Sequence, residues 1–240
     1  METGEKISYN GSGQFPMESI YKFPIVMAVL RSGQPVEPGG PHRNSDLVPA
    51  GLHSPIRDQN PSGGFNMPLG MVLRYAVAES DGTASDVAMK AAGGPAKVTD
   101  FLRGLGIKDM VVATTEAEMA TATDVQYRNW STPDAAVQLL TKLNPKQDDL
   151  LLRWMVESTP GPKRIKGLLP PGTIVAHKTG TSGTKDGVTF ATNDIGLVVL
   201  PNGKHMAIAV FASDSHADEA TREAVIAKIA KAAWDRFTRK

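Results

Sequence analysis

Residues 194–200 (Asp194-Ile195-Gly196-Leu197-Val198-Val199-Leu200) and 206–211 (Met206-Ala207-Ile208-Ala209-Val210-Phe211) are apolar at nearly every position. Pro201-Asn202-Gly203-Lys204 between them reads as a hairpin turn. A strand with one wet face alternates polar and apolar side chains, so two such runs require a sheet covered on both faces. One cover follows directly: residues 219–237 form a long amphipathic helical pattern with Ala224, Ile226, Ile229, Ala233 and Phe237 as its apolar set. Residues 173–178 read as a further strand, and Lys6-Ile7-Ser8-Tyr9 as a short one after the turn residues Thr3-Gly4.

The middle of the chain is helical. Leu69, Val72, Leu73 and Ala76 share one face of a helix that Ser80-Asp81-Gly82 breaks. Residues 83–92 and 96–105 give two more helices, closed by Gly93-Gly94-Pro95 and by Gly106. Thr132-Pro133-Asp134 starts another, with threonine as cap, proline in the first turn and then an acid. Residues 150–156 are helical up to Thr159-Pro160-Gly161-Pro162. Residues 33–66, dense in Pro, Gly and Asn, read as a long irregular segment, and residues 113–130 as a structured loop. The 240 residues, 41% hydrophobic, suit one globular unit, residues 1–240. Its fold class is α+β. An antiparallel sheet lobe comes from residues 1–20 plus 165–240, a helical lobe from 21–164, and a cleft is expected between them.

Several classes of function drop out. A net charge of +1, from 26 basic and 25 acidic residues, offers nothing to nucleic acid or an anionic membrane surface. The absence of cysteine removes disulfides, thiolate zinc sites and a cysteine nucleophile. His177, His205 and His216 lack ligand spacing, so neither a metal nor a cofactor is expected. No apolar run reaches the roughly 18 residues that span a bilayer, and the first residues do not read as a signal peptide.

Chemistry enters at Glu18-Ser19-Ile20-Tyr21-Lys22-Phe23. If a helix starts at Ser19, one turn puts Lys22 on the same face, and its amine can share a proton with the hydroxyl. Ile20, Phe23, Val26, Met27 and Leu30 recur at helical spacing, while Pro24 removes one hydrogen bond near the start, where the loss is mildest. A serine cap followed by a solvated lysine has the same spacing, and Ser182-Gly183-Thr184-Lys185 repeats it in a stretch too rich in Gly and Thr for a helix. Two further motifs change the weight of Ser19: Ser80-Asp81-Gly82 at a helix end and Lys178-Thr179-Gly180 at a strand end.

In that order the three motifs resemble the serine-reactive penicillin-recognising family. Thr115-Glu116-Ala117-Glu118-Met119 lies where class A β-lactamases carry a water-activating glutamate on the omega loop, and that loop resembles the extended-spectrum PER-type branch. The resemblance implies roles. Ser19 attacks the lactam carbonyl, and Lys22, or Glu116 through a water, takes its proton. Backbone N–H groups of Ser19 and Thr181 hold the oxyanion, and Ser80 relays a proton to the leaving nitrogen. Glu116 activates the deacylating water. Lys178, Thr179, Gly180 and Thr181 receive the substrate carboxylate. It also implies a β-lactam as the small-molecule partner and a periplasmic or secreted location.

Three departures bear on substrate range: Ala117 replaces a proline, Ala120 the asparagine that helps hold the hydrolytic water, and Gly82 the asparagine of the second motif. Thr192 stands where the class usually has an arginine; Arg164 matches a position that supplies a substitute, and His53 aligns with an aromatic gatekeeper at the cleft mouth. A solvated arginine and a surface histidine are the plain alternatives for these two. A D-alanyl-D-alanine peptidase or transpeptidase shares the three motifs without the glutamate. A sensor domain acylates and stops, and an inactive fragment is the last competitor. Class A chains have a helix and strand ahead of the turn that Thr3-Gly4 resembles, so an upstream segment is expected. Without it, residues 6–9 should be poorly placed or re-paired, and the edge of residues 206–211 open. A monomer is expected, with a dimer through that edge as the alternative.

Overall fold

A computed structural model describes residues 1–239. β1 (Phe15–Pro16) leads into a 3-10 turn, Glu18–Tyr21, and then α1 (Lys22–Arg31). The regular helix therefore starts at Lys22, and the serine sits in the tighter turn ahead of it. β2 (Gly40–His42), α2 (Pro55–Gln59) and β3 (Phe65–Met67) organise the segment read as irregular, with β2 and β3 paired antiparallel. α3 (Leu69–Ala78), α4 (Gly82–Ala91) and α5 (Pro95–Gly104) fall where their periodicity put them. β4 (Met110–Val111), α6 (Glu116–Met119) and β5 (Trp130–Ser131) follow; β5 sits between β1 and β4 in a small sheet. α7 (Pro133–Leu140) is capped by the Thr132 side chain, which accepts the Ala135 N–H. α8 (Asp149–Val156) completes the helical region.

The last third builds the main sheet from β6 (Val175–Thr181), β7 (Thr184–Lys185), β8 (Val188–Val199) and β9 (His205–Ser215), with α9 (Glu219–Thr238) packed on it. β8 lies between β6 and β9, antiparallel to both, and is buried along most of its length. One hydrophobic cluster joins α1, α3, α4, α5, α7 and α8 to one face of this sheet. A second joins the opposite face to α9. Lys178 and Ser19 both lie near where the first cluster meets the sheet, because the turn before α1 packs against β6.

The structure corrects two expectations. Residues 6–9 form no strand: Ile7 is 61% and Tyr9 97% exposed, and only the Lys6 and Ser8 side chains are tied down, on Asp134. β9 pairs only with β8 among the described residues, yet both its faces are covered as read: Ala207, Ala209 and Phe211 pack against the first cluster. Its Met206, Ile208 and Val210 are buried toward α9. Of the α9 set read from spacing, Ile226 is buried and Ala233 and Phe237 pack against the second cluster, but Ala224 and Ile229 are exposed and the buried face is completed by Ala227, Ala230 and Trp234. The large indole of Trp234 fixes that face against the sheet.

Candidate active site

Lys22 begins α1 with its side chain 1% exposed, and its Nζ donates to the Ser80 carbonyl at 2.7 Å. The same amine stands 3.4 Å from Glu116 Oε2. Ser80 closes the turn between α3 and α4 at φ +59°, an unusual backbone for a serine, which turns its carbonyl to one lysine and its hydroxyl to another. Lys178 Nζ, fully buried, donates to Ser80 Oγ at 2.8 Å and to the Thr179 carbonyl at 2.9 Å. Burial, reinforced by the charge of Lys22, holds the Lys178 amine well below the usual lysine range. Ser19, Ser80, Glu116, Thr179, Thr181 and His53 all line one cleft of about 610 Å³. The motifs met separately in the chain converge.

Gly180 is required by that convergence. A Cβ built on it would lie 2.3 Å from the Met17 carbonyl, so any side chain would push β6 off the turn that carries Ser19. The second S-x-x-K motif is set apart from the cleft chemistry: Ser182 bonds back to β8 through Ala191, and Thr184–Lys185 is a strand.

Glu116 is the first residue of α6, a single turn capped by Thr115, whose hydroxyl accepts the Glu118 N–H while Glu118 accepts the Thr115 N–H. Asp86 of α4 holds this turn from below, accepting the Glu116 and Ala117 N–H groups at 2.7 and 3.0 Å. The peptide between Glu116 and Ala117 is trans; Glu37–Pro38 is the cis bond among the described residues. Tyr21, wholly buried, donates its phenol to Glu116 Oε2 at 2.6 Å and accepts from Ser85 Oγ at 2.9 Å. Burial and the facing carboxylates push the phenol well above its ordinary pKa, so it stays a donor. Tyr21, Ser85 and Asp86 were not singled out from the sequence, because nothing in local spacing links them to Glu116.

Burial, against the pull of the two backbone donors, raises the Asp86 carboxyl to about 6. Below that pH it gains a proton and loses its charge-assisted grip on the turn. We therefore expect turnover to fall on the acid side of pH 6. Removing the acceptor altogether, as Asp86→Ala, should lower kcat roughly a hundredfold, about 2.7 kcal/mol for two bonds to a charged group. Single-turnover kinetics separating acylation from deacylation would check this; equal loss in both steps would assign Asp86 to general stability.

Asp81 has a structural task. It caps α4 through the Ala84 N–H and accepts Ser54 Oγ and the Ile56 N–H, all buried. Gly82 N–H donates to the His53 carbonyl, and a Cβ on Gly82 would come within 3.1 Å of both that oxygen and Glu116 Cγ. His53 is exposed at the cleft mouth, its Nε2 2.8 Å from the Glu79 carbonyl. Arg164 is not a solvated arginine. It is 3% exposed, pairs with Glu223 at 3.1 Å, and donates to the Thr181 hydroxyl at 2.8 Å and to the Gly180 and Asn193 carbonyls. Thr192 is met instead by Arg222 of α9, at 2.8 Å. His177 pairs with Asp194 inside the sheet, both fully buried, and among the described residues no His, Asp or Glu cluster has the makings of a metal site.

Residues 1–237 match the model of the Beta-lactamase enzyme family. The extended-spectrum β-lactamase PER-1 of Pseudomonas aeruginosa is 39% identical, over 96% of this chain and 78% of that protein. The β-lactamase VEB-1 of the same species is 36% identical, over 98% and 82%. Among solved structures, a β-lactamase from Chitinophaga pinensis superposes with a TM-score of 0.93 at 42% identity, over 98% of this chain and 90% of that one. The TLA-1 extended-spectrum β-lactamase matches with the same TM-score at 43% identity, over 98% and 89%.

Proposed function

The chain belongs to the class A serine β-lactamase family, related to its PER branch, and from that premise we propose how its own residues divide the reaction. The overall activity is hydrolysis of the β-lactam ring, the chemistry of antibiotic resistance. Ser19 Oγ attacks the lactam carbonyl carbon, and its proton leaves toward Lys22, or toward Glu116 through a water. The oxyanion that forms is held by the backbone N–H groups of Ser19 and Thr181, each donor worth about 3–4 kcal/mol in comparable sites. As the carbon–nitrogen bond breaks, Ser80 passes a proton to the nitrogen and is resupplied from Lys178, whose Nζ donates to its Oγ. Glu116 then takes a proton from water as that water attacks the ester, and the proton returns to Ser19.

The single observation that carries this reading is the continuous set of contacts from Lys178 through Ser80 to Lys22 and Glu116 alongside Ser19. The relay through Ser80 needs a donor on its hydroxyl, and Lys178 stands there, while Ser19 and Glu116 share the cleft with it. Lys178, Thr179, Gly180 and Thr181 form the carboxylate subsite. Arg164 supports it by orienting the Thr181 hydroxyl and by adding positive charge behind β6. His53 lines the cleft, and Gly82 holds its backbone by donating to the His53 carbonyl. No helix among the described residues is long and apolar enough to cross a membrane, which fits an exported enzyme acting in the periplasm or outside the cell. Hydrolysis of a chromogenic cephalosporin, followed through burst and steady state, tests the proposal. Continued turnover after the burst is expected; a stoichiometric burst that then stops would mean a sensor or a peptidase.

A further inference from the structure

Glu18, immediately before the nucleophile, has no task in the scheme above. Its backbone lies at φ +47°, a left-handed conformation that a glutamate adopts when its surroundings impose it. Its place beside β6 is tight: the glycine at 180 leaves the room that Glu18 occupies, and a Cβ there would stand 3.3 Å from Glu18 Cβ. The residue lines the catalytic cleft, yet its Oε1 is buried with no hydrogen-bond partner among the described residues.

The charges that face Glu18 decide its state. On its own turn and helix stands Lys22, and from α6 comes Glu116. Tyr127 approaches from the 3-10 turn Val125–Arg128, its phenol bound to Asp214 of β9. β6 presents the uncharged Gly180, while the Lys178 amine is engaged by Ser80 and Thr179. Lys22 thus faces three carboxyls, Glu18, Glu116 and Asp86, while Lys178 reaches Glu116 alone among them. Asp86 is satisfied by two backbone N–H groups, and Glu116 by the Tyr21 phenol and Lys22. A crowded set of buried carboxyls retains a proton, and it settles where no donor stabilises the anion.

We propose that Glu18 serves the hydrolase reaction as a neutral acid, leaving Glu116 as the anion beside the scissile bond. The inference rests on the assignment of Ser19 and Glu116 above. Burial and the charge of Glu116 raise the Glu18 carboxyl to about 8. Above that pH, a second negative charge stands next to the forming oxyanion and the anionic substrate. Acylation slows.

The test is the pH profile of kcat/KM from pH 5 to 10 for the wild type and Glu18→Gln, each normalised to its own plateau. The wild type should fall on the alkaline side with a midpoint near 8, and the glutamine variant, which cannot ionise, should move that limb up by about one unit or more. An unmoved limb would assign it to another group, such as Lys178, and overturn the proposal. Stability gives a second reading. A carboxyl raised from 4.5 to about 8 stabilises the fold fully below 4.5 and loses that contribution as pH rises through 8. The thermal midpoint of Glu18→Gln should therefore gain on the wild type across that window; parallel curves would count against the proposal. Carbon-13 NMR of the glutamate-labelled wild type needs no variant: one carboxyl should titrate near pH 8, and none doing so would refute the neutral acid. Mass spectrometry of the Ser19 adduct in the same samples reports the hydrolase assignment separately, whatever the limb does.

Discussion

Replacing Glu116 by glutamine should leave an enzyme that acylates and stalls. The glutamine side chain keeps the shape of α6 and can still accept from the Tyr21 phenol, which donates to Glu116 Oε2 at 2.6 Å. It cannot take a proton from water. Only the second half-reaction loses its base, so penicillin-treated protein should accumulate a covalent adduct while kcat falls on the order of 10²–10⁴-fold. Rapid-quench mass spectrometry gives the adduct and stopped-flow gives the acylation rate. Steady-state turnover equal to the wild type would place the base elsewhere. Glu118 is the nearest alternative in the chain, although its carboxylate already closes the α6 cap on the Thr115 N–H.

The Ser19→Ala variant should form no adduct and lose turnover by on the order of 10⁴–10⁶-fold, the scale at which removing a nucleophile leaves only binding and electrostatic assistance. Its fold should survive. Ser19 sits in the 3-10 turn between two wholly buried residues, Met17 and Ile20, that anchor the backbone whatever occupies position 19. A circular dichroism melt close to that of the wild type, together with intact protein mass after β-lactam treatment, checks both halves. An adduct that persists in the variant, at Ser182 for instance, would sink the assignment of Ser19.

The residues that chemistry demands at fixed spacing could be read from the chain. Ser19 and Lys22 must lie one turn apart, and Lys178 must precede a glycine that lets the strand close on the turn; the clash of a Cβ at Gly180 with the Met17 carbonyl shows why. Helices such as α3 and α7 were legible because their periodicity and caps are local. β2 and β3 were not, because strands of three residues carry no period and exist by virtue of each other. The contacts that hold Glu116 were invisible for a related reason. The Tyr21 phenol reaches it across 95 positions and Asp86 across 30, and a buried tyrosine in an apolar helix looks like packing until the fold brings a carboxylate to it. The face of α9 was misread only in part: Ile226, Ala233 and Phe237 pack as read, while Ile229 is exposed and the buried stripe turns toward Trp234.

Gly82 has a consequence for the history open to this enzyme. A Cβ there would stand 3.1 Å from Glu116 Cγ and equally close to the His53 carbonyl, so any side chain at this position makes the base or its neighbour yield by a few tenths of an ångström. The asparagine usual in the class is therefore not one neutral step away. A lineage acquiring it first shifts the base, and we expect selection by an antibiotic to disfavour that variant. Under serial passage, Gly82→Asn should be recovered only behind a change in residues 113–130 that moves the loop. Its appearance alone with full turnover would show the route to be open. The same 3.1 Å that lets the base lie close to α4 makes the order of mutations matter.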